Sequence, residues 1–338
     1  MYATDASNYR QVPLGVVLPR HPGDVVAALA TCRDFEVPVI PRGAGTSLAG
    51  QGCNRAVVID CSRWMKGVTE LDPVGRTARV APGTVLDQLQ LSAGEHGLAF
   101  GPDPASHNRA TLGGMIGNNA CGMHSIGCGR TSDNIAALDV VTYDGVQLRL
   151  GRTSETEIET LAAVGGRTGD IYRSLRSLAQ RYEGPIRTRY PPIARRVSGY
   201  NLDELLNDRG FNLARALVGT EGTCVVVLSA VVSLVPRPAW RALVVLGYPS
   251  IVAAADAVPS VMALDPIGLE GMDDVLVGYA RHAGVAGADL LPEGSAWLIA
   301  EVGGDSFAEA ELAARTLAAG AGAATGGGGA WTGRAGAG

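Results

Sequence analysis

The sequence lacks any apolar stretch long enough to cross a membrane. The apolar run at residues 243–246 is soon interrupted by Gly247 and Pro249, whereas a spanning helix needs about 20 consecutive apolar residues. Residues 1–7 carry neither the basic stretch nor the apolar core of a secretory signal. We therefore expect no transmembrane segment and a cytoplasmic location, with the periphery of the inner membrane as the alternative.

An excess of basic charge is also missing. The chain has 28 Lys and Arg against 33 Asp and Glu, which gives a net charge of -5. The basic residues are scattered along the chain, whereas nucleic-acid-binding domains need a clustered basic face. We therefore expect no nucleic-acid partner.

Cysteine pairs at metal-ligand spacing are absent as well. The six cysteines are Cys32, Cys53, Cys61, Cys121, Cys128 and Cys224. Zinc sites and iron–sulfur runs use close spacings such as Cys-x-x-Cys, and no histidine here has a partner at such a spacing. We expect no metal site and no iron–sulfur cluster in this chain, and reduced cysteines that mostly pack as small core residues.

Glycine, in contrast, is abundant and clustered. Residues 41–52 contain four glycines, one arginine, one threonine and one serine, directly after the apolar run 37–40. Such a loop lets backbone N–H groups close around a phosphate without any Cβ in the way. A Walker A lysine is missing after Gly50, and the third Rossmann glycine is replaced by Leu48. The alternative is a glycine-rich surface turn.

Two further segments have a similar character. Residues 101–122 carry five glycines and a pair of adjacent amides, which suit a flat polar ring or a diphosphate. The alternative for this segment is tight packing of a helix on a sheet, which the spacing of Gly113 and Gly117 also permits. In residues 217–227, Glu221 stands on a glycine-flanked turn before an apolar run. Alone, this could be an ordinary turn.

Periodicity predicts a chain in which helices and strands alternate. The predicted strands are 16–18, 37–40, 56–60, 77–80, 243–247 and 297–302, and the predicted helices are 25–35, 84–95, 250–264 and 307–318. Residues 138–150 predict a hairpin that turns at Asp144-Gly145. The first glycine loop is therefore predicted to lie between two strands.

The order and character of the three segments resemble the flavoproteins of the vanillyl-alcohol oxidase and p-cresol methylhydroxylase type. Within them, the chain is most similar to the branch of D-lactate dehydrogenases, glycolate oxidase subunits and D-2-hydroxyglutarate dehydrogenases, over about residues 2–302. The resemblance implies an α+β fold, with a two-subdomain FAD-binding domain at 1–238, divided at about residue 65. An incomplete ferredoxin-like cap at 239–318 and a low-complexity tail at 319–338 follow.

The resemblance also implies which residues bind FAD. They are Pro41, Arg42, Gly43, Ala44, Gly45, Thr46, Ser47, Gly50, Pro102, Asp103, Thr111, Gly113, Gly114, Gly117, Asn118, Asn119, Gly122, Ile135, Glu221 and Gly222. Some relatives attach FAD covalently through a histidine in the first loop. The corresponding stretch here offers Thr46-Ser47 instead, so we expect non-covalent FAD.

By the same resemblance, the protein oxidises a D-2-hydroxy acid, such as D-lactate or D-2-hydroxyglutarate, by hydride transfer to flavin N5. The candidates for catalysis are Arg196, Tyr200 and His124. The alternative for Arg196 is a solvated arginine pair with Arg195, and for His124 a structural role. Another flavin oxidase or reductase, for an alditol or a cell-wall sugar nucleotide, is the alternative on this fold. A non-catalytic FAD-binding subunit that needs a partner chain is an alternative of another class.

The tail departs from the family pattern. From residue 319 the sequence is dominated by glycine and alanine and lacks the apolar pattern needed to finish a cap. In the family, the metal-binding and catalytic histidines lie further along the cap, and larger relatives add an iron–sulfur module. We therefore expect the N-terminal portion of a larger FAD and iron–sulfur oxidoreductase, which needs an electron acceptor or an iron–sulfur partner to turn over.

Overall fold

The computed structural model describes residues 1–325 and 330–334. The chain divides into two compact units. The first comprises Met1–Gly122 and Cys128–Val235, and the second comprises Met123–Gly127 and Pro236–Gly338. The short segment Met123–Gly127 thus belongs to the second unit although it lies within the first in sequence.

The first unit combines a three-stranded sheet, a five-stranded sheet, one further short strand and six helices. Its strands are β1 (Gly15–Val17), β2 (Val39–Arg42), β3 (Val57–Asp60), β4 (Val68–Asp72), β5 (Thr77–Val80), β6 (Leu98–Ala99), β7 (Ile135–Thr142), β8 (Gln147–Leu150) and β9 (Val225–Ser233). Its helices are α1 (Pro22–Asp34), α2 (Leu86–Gly94), α3 (Leu112–Asn118), α5 (Glu155–Ala163), α6 (Gly166–Arg189) and α7 (Leu213–Leu217). Short 3-10 helices cover Thr131–Asn134, Leu202–Leu205 and Asn207–Arg209. The elements α4 (Ser125–Cys128) and β10 (Val235–Pro236) lie across the boundaries of the two units.

A small parallel sheet with the order β1-β3-β2 carries the first glycine loop. The loop connects β2 to β3, which confirms that it lies between two strands. Strand β2 runs two residues further than predicted, because Pro41 and Arg42 stay in register with Ile59 and Asp60 of β3. Proline is tolerated there because β2 is an edge strand.

Helix α1 follows β1, as predicted from its sequence. It has a proline in its first turn, Asp24 near its N-terminus and Arg33 in its last turn, which favours the helix dipole at both ends. Its buried residues Val25, Leu29 and Cys32 recur every three or four positions and form one face. This face packs into the core that contains Ile59 of β3.

A five-stranded antiparallel sheet with the order β4-β5-β9-β7-β8 forms the rest of the first unit. The predicted hairpin at 138–150 is confirmed as β7 and β8. Phe100, Leu89 and Leu138 are fully buried in the large core against this sheet.

The second unit has the β-α-β-β-α-β arrangement of a ferredoxin-like fold, with one further helix between its second and third strands. Its elements are β11 (Trp240–Tyr248), α8 (Ile251–Met262), β12 (Gly268–Asp273), α9 (Asp274–His282), β13 (Ala296–Gly304), α10 (Phe307–Thr325) and β14 (Ala330–Arg334). The strand order is β12-β13-β11-β14. Helices α8 and α10 cover one face of this sheet, and Val277 of α9 packs with Val245 and Trp297 on the other.

Helix α10 extends beyond the predicted end at residue 318. It continues to Thr325 because alanine, the best helix former, makes up much of residues 313–324. Strand β14 then pairs with β11. Part of the predicted tail therefore has regular structure, while residues 326–329 and 335–338 lie outside the described residues.

Across the described residues, no helix combines the length and apolar character required to cross a bilayer. The mixed helix-and-sheet architecture agrees with the predicted α+β fold class. Both units have their own apolar core.

Two leucines of α2 provide a test of the first core. Leu89 is fully buried and Leu91 is 72% exposed on the same helix. We expect Leu89→Ala to lower the free energy of unfolding by about 3 kcal/mol, because it removes buried methyl groups and leaves a cavity. Leu91→Ala should change it by less than about 0.5 kcal/mol. Urea unfolding followed by circular dichroism measures both, and equal losses would contradict this packing.

Candidate functional site

The third glycine segment, residues 219–222, is hydrogen-bonded to the second. The backbone N–H of Gly219 donates to the carbonyl of Ile116 at 2.8 Å, and that of Glu221 donates to the carbonyl of Gly117 at 2.9 Å. Gly219 has a positive φ of 88°, a conformation that favours glycine. The turn is therefore held at the C-terminal end of α3.

The first glycine loop packs directly against the second segment. A Cβ atom at Gly43 would lie 2.7 Å from Oγ1 of Thr111 and 3.0 Å from Cα of Gly114. The Thr111 hydroxyl in turn accepts a hydrogen bond from the backbone N–H of Gly114 at 3.2 Å. Glycine at position 43 is thus required by the close approach of two backbones.

Glu221 links all three segments through one carboxylate oxygen. Its Oε1 accepts hydrogen bonds from Nε2 of Gln51 at 3.2 Å and from Nδ2 of Asn118 at 3.4 Å. These partners are 170 and 103 residues away along the chain. Gly222, with a φ of 75°, lies next to Pro41, where a Cβ atom would be 2.7 Å from Cγ. The three segments are therefore hydrogen-bonded and packed against one another.

Together the segments line a cleft in the first unit. The cavity volume of the cleft is about 210 Å3, and the cleft is open to solvent beyond that. The predicted cofactor residues that line it are Pro41, Arg42, Gly43, Ala44, Gly45, Thr46, Ser47, Thr111, Gly113, Gly114, Gly117, Asn118, Glu221 and Gly222.

Six predicted cofactor residues do not line the cleft. They are Gly50, Pro102, Asp103, Asn119, Gly122 and Ile135. Several of them have a packing role: a Cβ atom at Gly122 would lie 2.0 Å from the carbonyl oxygen of Asp103, and Ile135 is fully buried at the start of β7. Their predicted contacts with a cofactor stay predictions.

Other residues line the cleft without being among the predicted cofactor residues, although most of them lie in the three glycine-containing segments. They include Gln51, Pro82, Gly83, Ser106, Val225, Val226 and Val227. The Pro-Gly pair directly after β5 is a turn signal that could have drawn attention to Pro82 and Gly83. The valines belong to β9 and carry no signal other than their apolar character.

The guanidinium of Arg42 stabilises the first loop itself. It donates to the backbone carbonyls of Tyr2, Thr4 and Gly52, at 3.2, 2.7 and 2.9 Å respectively. These bonds hold the N-terminal segment against the end of the loop.

Asn119 presents a buried hydrogen-bond donor next to the cleft-lining Asn118 and Ala120. Its Oδ1 accepts from the backbone N–H of Ser132 at 3.0 Å, but its Nδ2 and the Ser132 hydroxyl have no hydrogen-bond partner among the described residues. Unsatisfied buried polar groups are rare and often mark the place of a ligand or water. Asn119 and Ser132 are both fully buried, however, and neither belongs to the residues that line the cleft.

The catalytic candidate Arg196 is engaged in an ion pair. Its Nη2 lies 2.6 Å from Oδ1 of Asp203, and its side chain is 12% exposed. The guanidinium also stacks on the ring of Tyr190 at 4.4 Å. The alternative of a solvated arginine pair does not apply to Arg196, because packing buries it.

Tyr200 stands beside the third segment with a defined hydrogen-bond direction. Its hydroxyl lies 2.8 Å from that of Thr223, and Thr223 donates to the carbonyl of Thr220 at 2.6 Å. A hydroxyl has one proton, so Tyr200 donates to Thr223. The lone pairs of the Tyr200 oxygen remain available to accept a hydrogen bond.

His124 lies in the second unit, where it contacts Glu301 of β13. Its Nε2 is 3.3 Å from Oε1 of Glu301, and Nη1 of Arg241 donates to the same oxygen at 3.0 Å. Burial would raise the pKa of Glu301, but the hydrogen bond from His124 and the charge of Arg241 outweigh it and hold the pKa below its usual value. Glu301 is therefore an ionised, buried carboxylate.

No disulfide bond joins any of the six cysteines in the part of the chain that the structure describes. Cys32, Cys53 and Cys61 are buried, as predicted for core residues, while Cys224 is exposed. Burial raises the pKa of Cys61, which lines the cleft, to about 12. Within the part of the chain that the structure describes, no group of three or more metal-ligating side chains comes together.

Comparison with known proteins agrees with the site. Residues 13–151 match the family described as "FAD binding domain", and residues 237–337 match "FAD linked oxidases, C-terminal domain". A D-2-hydroxyglutarate dehydrogenase of Pseudomonas putida is 36% identical over 283 residues, which cover 82% of this chain and 28% of that protein. The glycolate oxidase subunit GlcD of Escherichia coli is 30% identical over 285 residues, which cover 82% of this chain and 47% of the subunit.

The fold has solved counterparts. An alkyldihydroxyacetonephosphate synthase superposes with a TM-score of 0.64 at 17% identity, and covers 95% of this chain and 52% of that structure. This likeness concerns the fold alone. The sequence matches confirm the resemblance drawn from the three glycine segments.

The close approach at Gly43 makes a testable prediction. We expect Gly43→Ala to lower the free energy of unfolding by about 1–3 kcal/mol, because the added methyl group must displace Thr111 and Gly114. It should also lower the uptake of added FAD, measured by flavin absorbance after gel filtration. Gly278→Ala is the control, since nothing lies within 4 Å of a Cβ atom there. Equal FAD uptake by both variants would contradict this role of Gly43.

The ionised state of Glu301 predicts a pH dependence. The ordinary pKa is 4.5 and that of the folded state is lower, so the unfolded state takes up the proton first as the pH falls. The contribution of Glu301 to the free energy of unfolding is complete well above pH 4.5. It declines as the pH falls below about 4.5 and is lost below the pKa that Glu301 has in the folded state. The melting temperatures of wild type and Glu301→Gln should therefore converge on acidification, as followed by calorimetry. A difference in melting temperature that stays constant down to about pH 3 would contradict the lowered pKa of Glu301.

Proposed function

We propose that this chain, which belongs to the FAD-linked oxidases, binds FAD in the cleft and serves the oxidation of a D-2-hydroxy acid such as D-2-hydroxyglutarate or D-lactate. The observation that carries the proposal is the junction at Glu221, which joins three distant glycine segments around one cleft. Two relatives that match most of this chain support the substrate class. The chain covers 28% of the length of one and 47% of the length of the other.

The chemical character of the cleft fits FAD. Gly43 and Gly45 of the first loop line the cleft, and the backbone N–H groups of such a glycine-rich loop suit a pyrophosphate. The apolar side chains of Val226 and Val227 complete the lining. We propose that these groups hold FAD without a covalent bond, since no histidine stands in the first loop.

FAD supplies the hydride acceptor when it is bound. The chain's own residues would then position the acid and handle its hydroxyl proton. Tyr200 directs its proton to Thr223, so its oxygen can accept a hydrogen bond from a substrate hydroxyl. Arg196 is bound to Asp203 and would support this segment through that ion pair.

A second candidate function is a flavin-binding subunit that needs a partner chain. The observation that favours this function is that the relative GlcD is named as a subunit of glycolate oxidase. In this case the partner would be the electron acceptor or would carry an iron–sulfur cluster, which we do not assign to this chain. A location in the cytoplasm or at the periphery of the inner membrane stays a prediction.

The absorption spectrum of the purified chain tests the cofactor. We expect flavin absorption that moves into the supernatant after acid precipitation, because the bound FAD is not covalently attached. Flavin that stays in the pellet would contradict non-covalent binding, and a protein that is colourless and takes up no added FAD would contradict the cofactor itself.

Anaerobic titration then tests the reaction. We expect D-2-hydroxyglutarate or D-lactate to bleach the flavin absorbance, with the L-enantiomers as controls. Flavin that is bleached by dithionite but by a D-2-hydroxy acid only after a partner is added would favour the subunit function. Flavin that no D-2-hydroxy acid reduces under either condition would contradict the proposed substrate class.

A further inference from the structure

Four side chains of the first unit carry buried polar atoms for which the described part of the chain offers no hydrogen-bond partner. These atoms are Nδ2 of Asn119, Oγ of Ser132, Oδ1 of Asn201 and Nε of Arg215. Asn119 and Ser132 are fully buried, and Asn201 is 1% exposed. An unpaired polar atom is costly away from water, so four such atoms in one unit require an explanation.

Hydrogen bonds connect Asn119, Ser132 and Arg215. The backbone N–H of Ser132 donates to Oδ1 of Asn119 at 3.0 Å. Nη2 of Arg215, which lies in α7, donates to the backbone carbonyl of Asp133 at 3.0 Å. Asp133 follows Ser132 in the 3-10 helix Thr131–Asn134. Asn119 and Arg215 are therefore bound to adjacent residues of this short helix.

Asn201 closes the circuit of contacts. Its Nδ2 donates to the backbone carbonyls of Arg215 at 3.3 Å and of Val218 at 2.9 Å. Gly219, the next residue, packs against Asn119, since a Cβ atom at position 219 would lie 3.2 Å from Cβ of Asn119. The four side chains are therefore joined in a ring of contacts that begins and ends at Asn119.

The existing hydrogen bonds also fix what each unpaired atom can do. The amide of Asn119 turns its oxygen to the N–H of Ser132, so its free Nδ2 is a donor. The amide of Asn201 turns its nitrogen to two carbonyls, so its free Oδ1 is an acceptor. Nε of Arg215 can only donate, whereas the hydroxyl of Ser132 can donate or accept. The ring thus presents two donors, one acceptor and one hydroxyl.

A water molecule is complementary to this set, because it accepts two hydrogen bonds and donates two. An anion would face the oxygen of Asn201, and a metal cation would face two N–H donors, so neither suits the ring. We propose that one water molecule is buried within the ring. It accepts hydrogen bonds from Nδ2 of Asn119 and Nε of Arg215. Its own protons are donated to Oδ1 of Asn201 and Oγ of Ser132. Interior waters characteristically bind such otherwise unsatisfied groups.

This water ties two glycine segments together outside the cleft. Asn119 ends α3 with a φ of 55°, a left-handed conformation that asparagine adopts more readily than most residues. Val218, which Asn201 binds, directly precedes the third glycine segment. None of the four side chains belongs to the residues that line the cleft. The water site is thus distinct from the proposed cofactor site, and the inference does not depend on the proposed function.

The substitution Ser132→Ala tests the water through the sign of its effect on stability. If the hydroxyl were an unpaired buried group, its removal would lower the equilibrium constant for unfolding. If the hydroxyl binds the water, its removal deletes a hydrogen bond, and we expect this constant to rise by about 3- to 10-fold. Urea unfolding of the purified chain, followed by circular dichroism, measures the change. An unchanged or lowered constant would overturn the inference.

A serine on the surface provides the matched control. Ser177 is exposed on α6, so Ser177→Ala removes a hydroxyl that is already in contact with solvent. We expect this control to change the equilibrium constant for unfolding by no more than about 2-fold. A rise in Ser177→Ala as large as that in Ser132→Ala would count against a special role of Ser132.

A high-resolution crystal structure of the wild-type chain tests the water directly, even if the variant fails to fold. We expect one peak of electron density at hydrogen-bond distance, about 2.7–3.2 Å, from the four unpaired atoms. The peak should be present with and without added FAD. The absence of density would overturn the inference, as would contacts too short for a water or replacement of the peak by part of the cofactor. Binding of FAD in the cleft of the same crystals judges the proposed function separately.

Discussion

The first unit depends on the close approach of three backbones around one cleft. Gly43, Gly114 and the turn at Glu221 come from three distant parts of the chain, and a single Cβ atom at position 43 would separate two of them. Each hydrogen bond to the exposed carboxylate of Glu221 is worth little in water. These hydrogen bonds instead fix the relative position of segments that the parallel sheet and α3 already bring near one another.

The second unit depends on a different constraint, which is the pairing of a buried charge. Glu301 is stable in its sheet only because Arg241 and His124 meet its carboxylate, and His124 reaches it only because position 268 is glycine. Glycine thus has a similar use in both units: it provides space for another group, a neighbouring backbone in one and an imidazole ring in the other. Such positions cannot be filled without loss of the contact they permit.

Much of the architecture could be predicted from the sequence because it depends on local patterns. The face of α1 that carries Val25 and Leu29 follows from their spacing, and the hairpin at 138–150 follows from Asp144-Gly145. The end of α10 could not be placed, because a run of glycine and alanine reads as low complexity until β14 pairs with β11. The ion pair of Arg196 could not be predicted either, since both its contact with Asp203 and its burial depend on the fold.

The sequence by itself determined that this chain has glycine segments of the kind that surround a phosphate or a flavin, in an order that identifies the family. This was possible because glycine has no side chain and gives the backbone conformational freedom at the position where it stands in the sequence. Only the tertiary structure decided that Glu221 joins these segments, that the side chain of Arg42 binds its own loop, and that Arg241, Glu301 and His124 meet. Hydrogen-bond partners and burial arise from contacts between residues far apart in the chain, and no local pattern records them.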